Sequence, residues 1–390
     1  MSQRLVPDWI EGYVEYMDNT EPPEMYHRWC AVSCMAAVLQ RKCWLDWGVV
    51  TFYPNFYVVL VGPPAARKGS AMEPVRQFLE RLNVEIAADE SSRQKLVSAL
   101  QKAGVAAPGN GVVTFHASLT IFSSELTVFL GYQNIELLTI LCDWFDCRSR
   151  FIYDTHMHGR QEVQNVWVNL LGATTPILLQ TSLPEGAVGS GFTSRTVFVY
   201  EENKGKLVIL PMLNKRQNEL KELLYRDLET ILGMHGQFVY TDGFLKRYEE
   251  WRIYGETHAI FTDPKLEFYA QRRQVHLLKL CMVFSASRSD SMVIEMVDLE
   301  RAIEFLERTE KKMPLVFRGV GTNPLASAQT RIMQIVEDRQ NLSLSELVEM
   351  FASDVTNYQM GDILTTLDKM GFCYLDIKEK MIRYGQPKTL

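Results

Sequence analysis

The chain has 390 residues, of which 41 are Lys or Arg and 47 are Asp or Glu, so its formal net charge is -6. This mild acidity excludes a protein that coats nucleic acid with a generally basic surface, and any nucleic-acid contact must be local. No apolar run approaches the ~20 residues of a membrane span, and the start of the chain does not resemble a signal peptide. We therefore expect a cytoplasmic protein of two or three packed units, taking ~150 residues for each.

Seven cysteines, an odd number, are scattered along the sequence, and reduced thiols fit this pattern best. His27, Cys30, Cys34 and Cys43 are conceivable zinc ligands. However, Cys30 and Cys34 lie in an apolar helical stretch, where free cysteine commonly acts as a small core residue. We favour core packing because no C-x2-C knuckle is present.

The first half of the chain alternates between segments with helical periodicity and short apolar runs typical of strands. Residues 5–45 show helical periodicity, and residues 56–61 (Phe-Tyr-Val-Val-Leu-Val) form a short apolar run typical of a strand buried on both faces. Helices are predicted at 70–82, 125–131 and 135–145, and further strands at 111–115, 119–122, 167–171 and 196–200. Buried strands alternating with helices over residues 50–200 indicate an α/β sheet.

The second half is predicted to be almost entirely helical, with helices at 214–232, 241–254, 265–287 and 297–308. A linker at 318–324 precedes a small final segment, 326–385, which is predicted to form three helices and two short strands around Lys378 and Glu379. Ser345 is a candidate helix cap there. Three helices followed by a β-wing are typical of the winged variant of helix-turn-helix.

The clearest motif is Gly62-Pro-Pro-Ala-Ala-Arg67-Lys68-Gly69-Ser70, between a buried strand and a helix. A phosphate-binding loop needs this context, because helix-start amides face the anion, a Lys neutralises phosphates and a hydroxyl holds Mg²⁺. Lys68 has the expected spacing from Gly62. Arg67 stands where the second glycine is usual, and Gly69 precedes the hydroxyl of Ser70. The alternative is a strand-turn-helix whose Lys is simply solvated.

Polar residues also stand at or near the ends of two later strands. Glu125 follows the strand 119–122, where a glutamate can polarise an attacking water, although Ser124 stands where an Asp is usual. Glu125 is alternatively a first-turn acid that stabilises the next helix. Thr174 and Asn169 are candidates to bond the γ-phosphate or the water, the alternative being that Thr-Thr-Pro is an ordinary turn.

Arg195 follows the Gly189-Ser-Gly191 stretch and directly precedes the strand 196–200. An arginine in such a place can project into the nucleotide site of a neighbouring subunit, where it stabilises transition-state charge. The alternative is a surface arginine paired with Glu201 or Glu202.

Between the strands lies a charged segment whose tip suits a hairpin at Gly159. Such a hairpin could track a nucleic-acid backbone, with an aromatic ring for base stacking. The alternative is a peripheral hairpin with solvated charge. The candidate DNA-contacting residues are Arg148, Arg150, Tyr153, His156, His158 and Arg160.

Taken in order, these motifs resemble the P-loop ATPase core of phage and mobile-element primase-helicase proteins. The resemblance is carried by residues 54–70, 123–126, 169–176 and 191–195. The Arg-Lys-Gly-Ser loop is similar to variants in that family. Phe-Thr-Ser-Arg before a strand is similar to the finger of ring-forming AAA+ replicative helicases, which carry winged-helix tails. The resemblance covers roughly residues 50–310.

The resemblance implies an α/β fold with an AAA+/RecA-like P-loop NTPase sheet core. The expected order is an N-terminal helical segment, the P-loop core, a helical lid region and a winged-helix domain, at 1–50, 51–211, 212–320 and 321–390. ATP would contact Gly62, Arg67, Lys68, Gly69, Ser70 and Ala71, and Ser70 would ligate Mg²⁺.

The activity implied is that of an ATP-dependent helicase or translocase in replication of a phage or mobile element. It would act in the bacterial host cytoplasm as a homo-oligomeric ring, often of six subunits, on single-stranded DNA, with a primase or replication initiator as a further partner.

Two other functions remain open. The first is a nucleotide-binding initiator or helicase loader with little hydrolysis, which the departures at Gly69 and Ser124 favour. The second is an interaction protein whose loop no longer functions. Residues 326–390 hold seven Lys or Arg against nine Asp or Glu, which argues against strong unspecific DNA binding by that segment.

Overall fold

A computed structural model describes residues 4–87, 92–109, 112–155, 159–184, 191–317, 326–352, 354–376 and 379–385. The chain forms two compact units, Met1–Arg318 and Gly319–Leu390. The α/β class predicted from the sequence is confirmed.

The described part of the first unit contains twelve α-helices and eleven strands. The helices are α1 (Trp9–Tyr16), α2 (Glu24–Leu39), α3 (Lys68–Arg81), α4 (Arg93–Lys102), α5 (Leu126–Leu130), α6 (Ile135–Phe145), α7 (Pro176–Ser182), α8 (Gly191–Arg195), α9 (Lys215–Leu232), α10 (Asp242–Thr257), α11 (Glu267–Arg288) and α12 (Met296–Glu310). The strands are β1 (Cys43–Trp47), β2 (Val50–Phe52), β3 (Tyr57–Val61), β4 (Gly104–Gly109), β5 (Val112–Ser123), β6 (Arg150–Thr155), β7 (Gly159–Gln164), β8 (Val166–Thr174), β9 (Thr196–Tyr200), β10 (Gly236–Tyr240) and β11 (Val293–Ile294).

A five-stranded sheet in the order β4-β5-β8-β3-β9 forms the centre of this unit. The strands β5, β8, β3 and β9 are parallel, and the outermost strand β4 is antiparallel to its neighbour β5. β3 and β8 are buried along their whole length, which explains their uninterrupted apolar sequences. The two predicted strands at 111–115 and 119–122 are one long strand, β5.

The parallel strands end at a common edge, which we call the carboxyl edge. Val61 of β3 pairs with Thr174 of β8 and with Tyr200 of β9, so these three strands finish at the same level. Near the end of β5, Ile86 forms a parallel bridge with Thr120. The loops after these strands therefore converge, and the opposite, amino edge carries the segments that precede them.

A second sheet joins the first fifty residues to the helical part of the chain. Its order is β11-β10-β1-β2, and β1 pairs in parallel with β10 through Cys43 and Gly236. α2 is buried along most of its length and contacts α3, α9, α11 and β8. Cys30 and Cys34 are buried, and no cluster of His, Cys, Asp or Glu suited to a metal occurs among the described residues.

The second unit contains three helices and a small antiparallel sheet of order β12-β14-β13 within its described residues. Its elements are α13 (Ala326–Arg339), β12 (Asn341–Ser343), α14 (Leu344–Met350), α15 (Asn357–Lys369), β13 (Cys373–Asp376) and β14 (Met381–Tyr384). They enclose their own core around Ile332, Leu347 and Leu367. The cap of α14 is Ser343, whose hydroxyl accepts from the Glu346 N–H at 3.1 Å, so the prediction of Ser345 was wrong.

No helix in the described part of either unit is both long enough and apolar enough to cross a membrane.

Three buried histidines make the first unit sensitive to mild acid. Burial lowers the pKa of His27 and of His116 to about 4, and that of His276 to about 3. The His276 Nε2 lies 3.2 Å from the Ser194 carbonyl, and its ring stacks on Tyr269. Because an unfolded histidine titrates near 6.5, only the unfolded chain takes up these protons as the pH falls from about 6.5 toward 4, which lowers the free energy of unfolding.

We predict that replacing His276 reduces this acid sensitivity. Between pH 7.5 and pH 5.0 a neutral buried histidine loses about 2 kcal/mol of stability, and His276→Asn should remove that part of the loss. Urea unfolding at the two pH values measures it, with the exposed His258→Asn as the control. An unchanged difference between the two pH values in His276→Asn would show that this residue is not the neutral group.

Candidate functional site

A tight loop joins β3 to α3 at the carboxyl edge of the central sheet. It starts at Gly62, whose N–H donates to the Thr174 carbonyl at 3.3 Å. A Cβ at position 62 would lie 2.5 Å from the Glu201 carbonyl oxygen and 2.6 Å from the Tyr26 hydroxyl. Neither contact is tolerable, so glycine is required here for close approach of the backbone to its neighbours.

The loop turns through two left-handed residues, Ala65 with φ 70° and Arg67 with φ 61°. This path places the first turn of α3 at the carboxyl edge. No side chain caps that turn and no acidic residue lies in it. The first amides of a helix have no partner within the helix, so those of Lys68, Gly69 and Ser70 are available to bind an anion.

The Lys68 ammonium group holds the loop closed on itself. Lys68 Nζ donates to the carbonyl oxygens of Gly62 at 2.7 Å and Pro63 at 2.9 Å. Partial burial lowers the pKa of Lys68, and the carboxylate of Glu125 opposes that shift.

Glu125 and Thr174 lie at the ends of neighbouring strands on this edge. Ser123, the last residue of β5, pairs with Gly172 of β8. Glu125 lies in the turn that follows Ser123, and Thr174 is the last residue of β8. The Glu125 side chain is exposed, as is Ser70 in the first turn of α3. Thr174 is buried, and its hydroxyl donates to the Thr175 carbonyl at 3.4 Å. The structure thus brings Lys68, Ser70, Glu125 and Thr174 to one edge.

Asn169, the other candidate to bond the γ-phosphate or the water, does not lie with this group at the carboxyl edge. It lies in the middle of β8 and is fully buried. Its amide nitrogen donates to the Ser33 hydroxyl at 3.0 Å and its amide oxygen accepts from the Phe56 N–H at 3.0 Å. These bonds satisfy the amide inside the core and tie α2 and β3 to β8.

Arg195 lies at the opposite, amino edge. It is the last residue of α8, and β9 then runs five residues to the carboxyl edge, about 16 Å at ~3.3 Å for each residue. Two of its nitrogens donate to the Asp146 carboxylate at 3.1 and 2.6 Å. Burial acts to lower the pKa of Arg195, but the bonds to Asp146 outweigh it and raise that pKa.

This position has two consequences for the sequence interpretations. The acid that pairs with Arg195 is Asp146, so the alternative of a pair with Glu201 or Glu202 was wrong. The side chain is also too far from Lys68 to act at the carboxyl edge of its own chain.

The predicted hairpin is formed by β6 and β7, with Gly159 in a left-handed conformation at the start of β7. Its described arginines are all paired with acids. The pairs are Arg148 with Asp143 at 2.9 Å, Arg150 with Glu162 at 2.8 Å and Arg160 with Glu162 at 3.8 Å. The Tyr153 hydroxyl accepts from Arg93 Nε at 2.9 Å. His156 and His158 lie outside the described residues.

One residue beside the loop was missed from the sequence. The Glu21 carboxylate lies 2.7 Å from Arg67 of the loop and 2.6 Å from the Lys204 amine. The hydrogen bond from Lys204 lowers the pKa of Glu21. The sequence did not reveal this contact, because nothing in Glu-Pro-Pro at 21–23 indicates a partner 46 residues away.

The sequence matches no known protein family, and no curated protein is similar to it at a significant level. The geometry of the carboxyl edge and the chemistry of its residues therefore carry the assignment of this site.

Proposed function

We propose that residues 62–70 bind the phosphate tail of ATP, as the loop of a P-loop NTPase core. The observation that carries this proposal is Lys68, the first residue of an uncapped helix that directly follows a buried parallel strand. In this position the helix amides and an ammonium group face one space, which suits a polyanion. Lys68 now donates to two neutral carbonyls, and charged phosphate oxygens would bind its ammonium group more strongly.

The neighbouring side chains fit the remaining roles. The exposed hydroxyl of Ser70 would hold Mg²⁺, which usually combines one or two protein ligands with substrate phosphates and water. The exposed Glu125 carboxylate would polarise the attacking water. Thr174 would orient that water or a γ-phosphate oxygen, after its hydroxyl turns away from the Thr175 carbonyl. Bound Mg²⁺ would neutralise charge that develops on the phosphates.

Arg195 would act in the site of a neighbouring subunit. The loop at 62–70 of the same chain lies at the carboxyl edge, whereas Arg195 lies at the amino edge. A contribution of Arg195 to phosphate chemistry therefore requires a second copy whose carboxyl edge faces this amino edge. The ion pair with Asp146 would then be exchanged for phosphate oxygens, which arginine binds with similar geometry. In this proposal the copies assemble as a ring, and both the ring and its six subunits are inferred from the resemblance described above.

We further propose that the chain is a motor on single-stranded DNA in the replication of a phage or mobile element. In this proposal helices α9 to α12 form the helical lid and the second unit is a winged-helix domain. The described residues of that unit, with three helices and a three-stranded antiparallel sheet around their own core, support the second assignment.

The second candidate is a nucleotide-dependent initiator or loader with little turnover. The serine at position 124 favours it, because a P-loop enzyme usually has an Asp there to position Mg²⁺. The exposed side chain of Ser124 offers a hydroxyl but no charge. Weak Mg²⁺ retention would then limit hydrolysis while leaving binding intact.

The loop assignment predicts that Lys68→Ala strongly weakens binding of ATP in the presence of Mg²⁺, because the change removes the ammonium group at the start of α3. Isothermal titration should show at least a 30-fold loss of affinity, with the exposed Lys215→Ala as the matched control. Unchanged affinity in Lys68→Ala would exclude this loop as the phosphate site.

The catalytic role of Glu125 predicts that Glu125→Gln lowers ATP turnover by about 10²- to 10⁴-fold while ATP still binds. Steady-state ATP turnover with and without single-stranded DNA measures it.

The same assay on the wild-type protein separates the two candidate functions. DNA-stimulated turnover with strand displacement supports the motor. Stoichiometric ATP binding with no turnover in the wild-type protein contradicts the motor and favours the loader.

The position of Arg195 predicts complementation in mixed assemblies. Arg195→Ala subunits keep Lys68 and Lys68→Ala subunits keep Arg195, so mixing the two inactive variants should restore ATP turnover at interfaces where each supplies the intact group. The matched control is Arg81→Ala, which removes a surface arginine paired with Glu222 and should stay active alone. A mixture of Arg195→Ala and Lys68→Ala with no turnover would mean that Arg195 does not act across an interface.

A further inference from the structure

A small cavity of about 280 Å³ at the amino edge of the sheet combines cations with aromatic rings. It lies where the segment before β1 crosses the start of β5 and the turn before β8. We call it the basic cleft, and it is lined by Arg41, Lys42, Trp44, Asp46, Thr51, Tyr53, Phe115, His116 and Asn165. None of these residues belongs to the carboxyl edge, so the basic cleft is separate from the loop that holds Lys68.

The two cations of the basic cleft are fixed in place by carbonyl groups. Arg41 Nη1 donates to the carbonyls of Cys147 and Val166, and its guanidinium carbon lies 4.2 Å from the centre of the Tyr53 ring. Lys42 is buried, and its amine donates to the Leu232 carbonyl. These contacts hold both charges at the cleft without neutralising them.

No carboxylate in the described part of the chain forms an ion pair with Arg41 or Lys42, whereas most other arginines of the first unit have such a partner. The one acid in the lining, Asp46, accepts from the Thr51 hydroxyl at 2.7 Å. Neither the buried amine of Lys42 nor the half-buried guanidinium of Arg41 has a carboxylate to balance its charge, so an anion from outside would stabilise both.

The low pKa of His116 agrees with a positive potential there, whereas that of Lys42 reflects its burial. Burial lowers the pKa of Lys42 to about 8. Burial, and then the charges of Lys42 and Arg41, lower the pKa of His116 to about 4. A phosphate group would oppose these shifts by supplying the missing negative charge.

Phe115 extends the cleft beyond one phosphate. Its ring exposes 45% of its surface and lines both the basic cleft and a second cavity of about 390 Å³. The second cavity also contacts Gln101, Glu162 and Val163, so it reaches the β6–β7 hairpin. A ligand that reached both cavities past this exposed ring would have to be longer than a single anion, and a chain of phosphates and bases has the groups to bind a cation and stack on a ring.

We propose that the basic cleft binds a phosphate of single-stranded nucleic acid through Arg41 and Lys42, and that Phe115 stacks on an adjacent base. For its choice of ligand the proposal rests on the proposed function, but it requires neither ATP binding nor the loop at 62–70. It also gives the nucleic acid a path along the protein that does not depend on the hairpin arginines, which are paired with acids.

The test measures binding of a fluorescein-labelled 20-residue oligothymidylate to the full-length protein by anisotropy, without ATP and at several salt concentrations. Lys42→Gln should weaken binding about tenfold at low salt, and the slope of log K against log salt should fall by ~0.7 because one phosphate contact is lost. Gln can still donate to the Leu232 carbonyl. The matched control is Lys215→Gln, whose side chain is 94% exposed on α9.

Phe115→Ala tests the stacking part, and it removes an exposed ring that is not needed for the core. Binding should weaken about tenfold with an unchanged salt slope, since stacking carries no charge. The control is Tyr132→Ala, which removes a ring that is 75% exposed near the carboxyl edge. Wild-type affinity in both Lys42→Gln and Phe115→Ala would overturn the proposal.

Competition distinguishes a strand from a free anion. Displacement of the oligonucleotide by unlabelled oligothymidylate, but not by millimolar thymidine monophosphate or inorganic phosphate, supports a site for single-stranded nucleic acid. Displacement by inorganic phosphate at the same concentration as the oligonucleotide would overturn it in favour of a free phosphate site. Lys68→Ala should bind the oligonucleotide normally, so a failure at the basic cleft and a failure of the ATP site give different results.

Discussion

The account of this protein depends on one interaction, the bonding of the Lys68 ammonium group to the carbonyls of Gly62 and Pro63. It places a cation at the start of a helix whose first amides are uncapped, and it does so at the end of a buried strand. An anion is the natural partner of that arrangement. The close approach at Gly62, which leaves no room for a Cβ, fixes the start of the loop against Glu201 and Tyr26.

The parallel sheet separates the chemistry of the chain into two edges. Lys68, Glu125 and Thr174 lie at the carboxyl edge, where parallel strands usually present ligand-binding loops. Arg195 and the basic cleft lie at the amino edge, about one strand length away. A site that needs both edges can only be completed by two chains. The same separation would allow the carboxyl edge to hold a nucleotide while the amino edge contacts single-stranded nucleic acid.

Features that depend on local sequence were predicted well. The buried run at 56–61 and the strand at 196–200 appear as β3 and β9, and α6 has the predicted bounds, because an apolar run or a 3.6-residue period determines such elements. Features that depend on contacts between distant segments were not predicted. The pairing of β1 with β10, the link from Glu21 to Arg67 and the partner of Arg195 join segments that are far apart in the sequence. Asn169 was misplaced because the sequence does not reveal that β8 continues to Thr174.

The most direct test of the central claim is a crystal structure of the protein with Mg²⁺ and a non-hydrolysable ATP analogue. The account predicts that Lys68 Nζ leaves the carbonyls of Gly62 and Pro63 and lies ~3 Å from phosphate oxygens, with the first amides of α3 facing the same phosphates. A structure in which the analogue binds elsewhere, while Lys68 keeps both carbonyl bonds and the loop stays closed, would contradict it.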